Sequence, residues 1–107
     1  MGVEIDDAKN VYGLLKGTNR AIPALMVVAH TDTVFPAETD LTIRREGNII
    51  YGPGLGDNSM GVAGLLGLIK WFYDTHGASP CDIWFVATSC EEGLGDLKGI
   101  RHAYEKL

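Results

Sequence analysis

Two short, almost wholly apolar runs constrain the fold of this chain more than any other feature. They are Ala24-Leu25-Met26-Val27-Val28-Ala29 and Ile83-Trp84-Phe85-Val86-Ala87-Thr88. Neither alternates with polar residues, which is the pattern of a strand covered on both faces of a sheet. Between them, from Ser59 to about Thr75, the period becomes helical, and Val62, Leu65, Leu66, Ile69 and Phe72 fall on one broad face. Lys98 to Lys106 reads as a second helix. Strand, helix, strand, helix implies an α/β sandwich around a mostly parallel sheet. Asn10 to Lys16 reads as a further strand, closed by a turn at Gly17-Thr18-Asn19-Arg20. Leu41 to Arg45 and Asn48 to Tyr51 flank Glu46-Gly47 as a hairpin at the side. Gly61, Gly64 and Gly67 recur every third residue of the first helix, and each costs up to about 1 kcal/mol against Ala there. They predict a close backbone approach, most simply to the sheet.

Bulk properties narrow the functional classes. A length of 107 residues allows one small domain with a single core. A net charge of −5 argues against a nucleic-acid partner, which calls for a basic patch. No apolar run approaches the roughly 18 residues of a membrane span. The acidic start, Met1-Gly2-Val3-Glu4-Ile5-Asp6-Asp7, lacks the basic and apolar segments of a signal peptide. Cys81 and Cys90 have no CxxC spacing and read as buried free thiols, which suits a reducing cytoplasm.

The chemistry is concentrated in three short motifs that follow apolar runs: Val28-Ala29-His30-Thr31-Asp32, Gly52-Pro53-Gly54-Leu55-Gly56-Asp57-Asn58 and Glu91-Glu92-Gly93. In open α/β sheets, ligands gather beyond the carboxyl ends of the strands, so His30 and the Glu pair can meet in one crevice despite their separation in sequence. A lone His after a strand is usually just a histidine. Asp32 two residues later changes the reading, because a carboxylate beside a ligating imidazole fixes its tautomer and orientation. Asp57 before a helix fits an N-cap as well as a ligand. Adjacent Glu side chains buried beyond a central strand are costly unless cations or hydrogen bonds neutralise them. One His with several carboxylates is a donor set that suits zinc, with a carboxylate left for base work. The competing reading is a phosphate cradle at Gly52-x-Gly54. The dinucleotide fingerprint requires glycine at position 57, where Asp57 would repel a pyrophosphate. His76 and His102 match no motif and read as solvent-facing.

Taken together, and in this order, the three motifs resemble the co-catalytic di-zinc exopeptidases and amidohydrolases. That group includes peptidase T, carboxypeptidase G, aminoacylase, acetylornithine deacetylase and succinyl-diaminopimelate desuccinylase. The resemblance runs over roughly residues 10–104. It implies a three-layer α/β/α sandwich around a mostly parallel mixed sheet, with residues 1–107 a partial catalytic domain. N-terminal helices, a lid or dimerisation domain and the C-terminal part would be absent. It also implies that His30 ligates one Zn2+, Asp57 bridges two and Glu92 ligates the second, with Co2+ as a substitute metal. Glu91 would be the general base, Asp32 would orient His30, and a non-proline cis peptide would follow Asp57. The family often carries lysine two residues after the bridging aspartate, where this chain has Ser59. The implied activity is hydrolysis of amide bonds in small peptides or N-acyl amino acids, by a cytoplasmic and homodimeric full-length parent. The alternative is a catalytically inactive fragment or binding domain that retains the fold.

Overall fold

The computed structural model describes residues 1–90, 92 and 97–107. Within them, β1 (Val3–Ile5), β2 (Val11–Leu15), β3 (Leu25–His30) and β6 (Ile83–Thr88) form one sheet in the order β1-β2-β6-β3. Helix α1 (Met60–Thr75) precedes β6, and α2 (Lys98–Lys106) follows it. A separate ribbon pairs β4 (Arg44–Glu46) with β5 (Ile49–Tyr51) through Gly47-Asn48, one residue later than the turn expected from the sequence.

The β3–β6 pair is parallel, in register from Leu25 opposite Ile83 to His30 opposite Thr88. The other two pairings, β1–β2 and β2–β6, are antiparallel. The sheet is therefore mixed rather than mostly parallel, because the first two strands are a hairpin added to the β3–α1–β6 crossover. Side chains alternate across β6. Ile83 and Phe85 pack with Ala29 and with Leu65 of α1, whereas Val86 packs with Tyr12 and with Ala103 of α2. One helix thus covers each face at the central strand. Among the described residues, no helix is long and apolar enough to cross a membrane.

Several expectations need correction. Leu25 and Val28 are exposed, because β3 is a sheet edge in this chain rather than a strand covered on both faces. In α1, Val62, Leu65, Ile69 and Phe72 face the sheet while Leu66 is 60% exposed, so the apolar face is narrower than the pattern suggested. Gly64 and Gly67 have no neighbour within 4 Å of a built Cβ, so close backbone approach does not explain them. Gly61 does meet a neighbour, the side chain of Asn58. Cys81 and Cys90 are unpaired and half-buried. His76, by contrast, is exposed as expected and ends α1 in the left-handed region. His102 is half-buried, with Nε2 3.8 Å from Asp6.

A polar cluster ties β1, β2 and α2 together. Asp6 accepts from the Asn10 backbone at 3.0 Å, from the Asn10 side-chain amide at 3.1 Å and from the Tyr12 hydroxyl. Burial works against the Asp6 charge. The Tyr12 and Asn10 hydrogen bonds and the nearby His102 outweigh it and hold the carboxyl below its ordinary value of 3.8. Burial and the Asp6 hydrogen bond push the Tyr12 phenol up.

A depressed folded-state pKa contributes stability that is present above the unfolded value and lost as pH falls through the folded one. Urea midpoints should therefore fall as pH drops below about 4, and Asp6→Asn should flatten that acid limb while lowering stability at neutral pH. In the core, Phe85→Ala should cost about 3–5 kcal/mol and Leu66→Ala less than about 0.5 kcal/mol, measured by the same titration.

Candidate metal centre

The parallel register determines where the chemistry gathers. His30 is the last residue of β3, and Thr88, its partner across the pair, ends β6. Just beyond both, the Thr31 backbone N–H and hydroxyl donate to the Thr88 carbonyl at 2.8 and 2.9 Å. The strand ends are thereby held side by side, and the segment after β6 delivers Glu92 to the imidazole. Asp57 arrives from a third direction. It lies in a wide turn, Leu55–Ser59, closed by Ser59 N–H to the Gly54 carbonyl at 2.9 Å. Gly54 has φ +72°, in the left-handed region, and a Cβ there would sit 2.8 Å from the Thr33 side chain. Both facts favour glycine at this position.

The imidazole is the hub. His30 Nδ1 lies 3.0 Å from the Asp32 carbonyl oxygen, which can only accept, so Nδ1 carries the proton of that hydrogen bond. The lone pair of the neutral ring then belongs to Nε2, which faces Asp57 Oδ1 at 2.9 Å and Glu92 Oε1 at 3.8 Å. One ligand atom from each of His30, Asp57 and Glu92 lies within 4.8 Å of the other two. Two carboxylates converging on an imidazole nitrogen is a costly arrangement without a cation and a fitting one with it. The donor chemistry therefore suits a divalent metal ion.

Asp32 has two tasks in this geometry. Its Oδ1 lies 3.7 Å from His30 Nδ1, and its Oδ2 accepts the Glu92 backbone N–H at 2.9 Å. A single carboxylate thus faces the ring and anchors the residue that faces the ring's other nitrogen. The sequence reading anticipated only the first of these tasks. It also missed Asn58, whose side-chain amide donates to the His30 carbonyl at 3.3 Å and ties the Asp57 turn to the end of β3. Gly61 lies under that amide, where a Cβ would come within 2.2 Å of Asn58 Oδ1. A Gly three residues after an Asn at a helix start is only a faint signal, because the contact exists solely in three dimensions.

The placements can be stated one by one. His30, Asp57 and Glu92 meet, and Asp32 stands behind them, bonded to the ring through its main-chain carbonyl rather than its carboxylate. Glu91 lies outside the described residues. Asp57 is not a cap: α1 starts at Met60, Ser59 holds the N-cap position without a side-chain cap, and Asp57 has non-helical angles. The Asp57–Asn58 peptide is cis, as the resemblance implied. The site is open on one side. The Asp57 side chain is 70% exposed, against 15% for His30 and 17% for Glu92, so an incoming molecule reaches the cluster across Asp57.

A comparison with curated proteins returns no match. A scan against family models returns Peptidase family M20/M25/M40 over residues 26–107, a span that contains β3 from Met26 onward, the Asp57 turn, β6 and Glu92. With most of its length matched, and with the motif residues brought together at one end of the parallel strand pair, the chain belongs to the M20/M25/M40 peptidase family.

Proposed function

We propose that the chain is the metal-site core of a hydrolase that cleaves amide bonds of small peptides or N-acyl amino acids. Membership of a peptidase family whose members generally use divalent metal supports the reaction class. The single observation that carries the reading is the convergence of His30, Asp57 and Glu92 around one point. In this reading His30 and Asp57 would hold one ion, Asp57 and Glu92 would hold a second, and zinc would suit the mixed nitrogen and oxygen donors. Cobalt is a workable substitute for titration.

Bound there, such ions supply Lewis-acid polarisation of the scissile carbonyl and make a water molecule acidic near neutral pH. The remaining roles belong to the chain. Asp32 keeps the His30 proton on Nδ1 and holds Glu92 in place through its backbone N–H. Glu91 is the general base: it takes a proton from the attacking water and passes it to the departing amine nitrogen. The open flank at Asp57 is the entry for substrate.

The same reading makes this polypeptide a partial three-layer α/β/α catalytic domain. Its accessible surface is 7396 Å², against about 5,800 Å² for a compact monomer of this size. Exposed Leu25, Val28, Leu66 and Trp71 are part of that excess. Among the described residues each ion would receive two protein ligands, where catalytic zinc normally has three. The unpaired Cys81 and Cys90 fit a reducing compartment.

Calorimetric titration of the metal-free chain with zinc tests this reading. Binding should be measurable but weak, should vanish in Asp57→Ala, and should be accompanied by no turnover of short peptides or N-acyl amino acids. Absence of binding in the wild type would contradict the metal site. Two tight sites, or turnover that Glu91→Ala abolishes, would contradict the partial-domain reading.

A further inference from the structure

Asn10 is fully buried, yet it lies far from the cation cluster in sequence and belongs to none of the motifs. Its side chain reaches both ends of the segment that carries Glu92. Oδ1 accepts the Ser89 backbone N–H at 3.0 Å, and Nδ2 donates to the Gly99 carbonyl at 2.8 Å. The rest of its hydrogen-bonding capacity is also used. Nδ2 donates to Asp6 Oδ2 at 3.1 Å, and the Asn10 backbone N–H donates to Asp6 Oδ1 at 3.0 Å, which fixes which way the amide faces.

The two ends are close-set by other contacts as well. Lys98 N–H donates to the Cys90 carbonyl at 3.0 Å. A Cβ on Gly99 would come within 1.7 Å of the Ser89 carbonyl oxygen, so only glycine lets α2 begin this close to the end of β6. The Ser89 hydroxyl donates to the Ala8 carbonyl, so the loop before β2 grips the same end of the segment. Cys90 itself sits at φ +56°, a conformation that a non-glycine residue keeps only when its surroundings hold it.

We propose that Asn10 is a positioning residue for the metal site: it clamps Ser89 to Gly99 and thereby keeps Glu92 docked on Asp32 beside His30. The proposal rests on the cation-site reading for its purpose. Its structural content, the dependence of Glu92 on Asn10, is separate. Among the described residues Asn10 bonds to Asp6, Tyr12, Ser89 and Gly99, and it acts on the site through the backbone at Ser89 and Gly99. Asp6 and Tyr12 hold the clamp from behind.

The test compares Asn10→Ala with Tyr12→Phe in the same chain. Tyr12→Phe removes the bond to Asp6 and a long 3.4 Å bond from Asn10 Nδ2, and leaves the contacts to Ser89 and Gly99 intact. Hydrogen exchange is read at the Glu92 amide, which reports docking on Asp32, and at the Ala29 amide, which reports the sheet. Cobalt(II) titration of each protein is read alongside. Asn10→Ala should speed Glu92 exchange at least tenfold relative to Ala29 and weaken cobalt binding at least tenfold, and Tyr12→Phe should change each by less than about twofold. If Asn10→Ala does not fold, Asn10→Ser, whose hydroxyl is too short to span both ends, is held to the same criteria. Glu92 exchange that stays in step with Ala29, or equal effects of the two substitutions, overturns the clamp. A wild-type chain with no cobalt signal but Asn10-dependent protection at Glu92 overturns the cation reading alone.

Discussion

The parallel pairing of β3 with β6 is the constraint on which the rest of the structure depends. Residues 25 to 30 lie opposite residues 83 to 88 with no offset, so His30 ends level with Thr88. A slip of one residue would turn the imidazole to the opposite face of the sheet and bury Val28 in place of Ala29. The register is enforced from one side by Ala29, Leu65, Ile83 and Phe85, which interlock beneath α1. Beyond the strand ends it is enforced by the two bonds from Thr31 to the Thr88 carbonyl. A hydrophobic cluster on one face and a short polar lock at the edge together put a His and a Glu 62 residues apart into the same cleft.

From that point the site is built by backbone groups as much as by side chains. The Asp32 carboxylate faces the ring on one oxygen and takes the Glu92 N–H on the other. The Asn58 amide takes the His30 carbonyl, and Gly61 leaves room for it. The Asp32–Glu92 and Asn58–His30 contacts each join two of the three chain segments that carry His30, Asp57 and Glu92. The apolar core supplies most of the stability, while this set of polar contacts sets the geometry.

Much of this arrangement is legible in the sequence, and the illegible parts have physical reasons. Ile83–Thr88 and Lys98–Lys106 appear with the expected bounds, because a continuous apolar run and a helical charge pattern are local signals. The meeting of His30 and Glu92 follows from the apolar run before each, whereas Asp57, which comes after the separate β4–β5 ribbon, is expected there from the family resemblance. Strand order is not a local signal. Nothing near Leu25 or Val28 reveals that β3 is an edge, and nothing near Val11 reveals that β2 runs antiparallel to β6. The same holds for Asn10, which reads as an ordinary strand start until Ser89 and Gly99 are placed beside it. His102 looks like a surface histidine because its neighbour Asp6 is 96 residues away in sequence.

The central claim is that His30 Nε2 and the carboxylates of Asp57 and Glu92 are ligands for divalent cations, with Asp57 common to both ions. Anomalous diffraction at the zinc edge, from crystals of the chain soaked in zinc, tests it most directly. The account predicts a zinc peak about 2.0–2.2 Å from His30 Nε2 and from at least one of the two carboxylates. Zinc bound only elsewhere on the surface, with the His30 imidazole still hydrogen-bonded to Asp57, would contradict it.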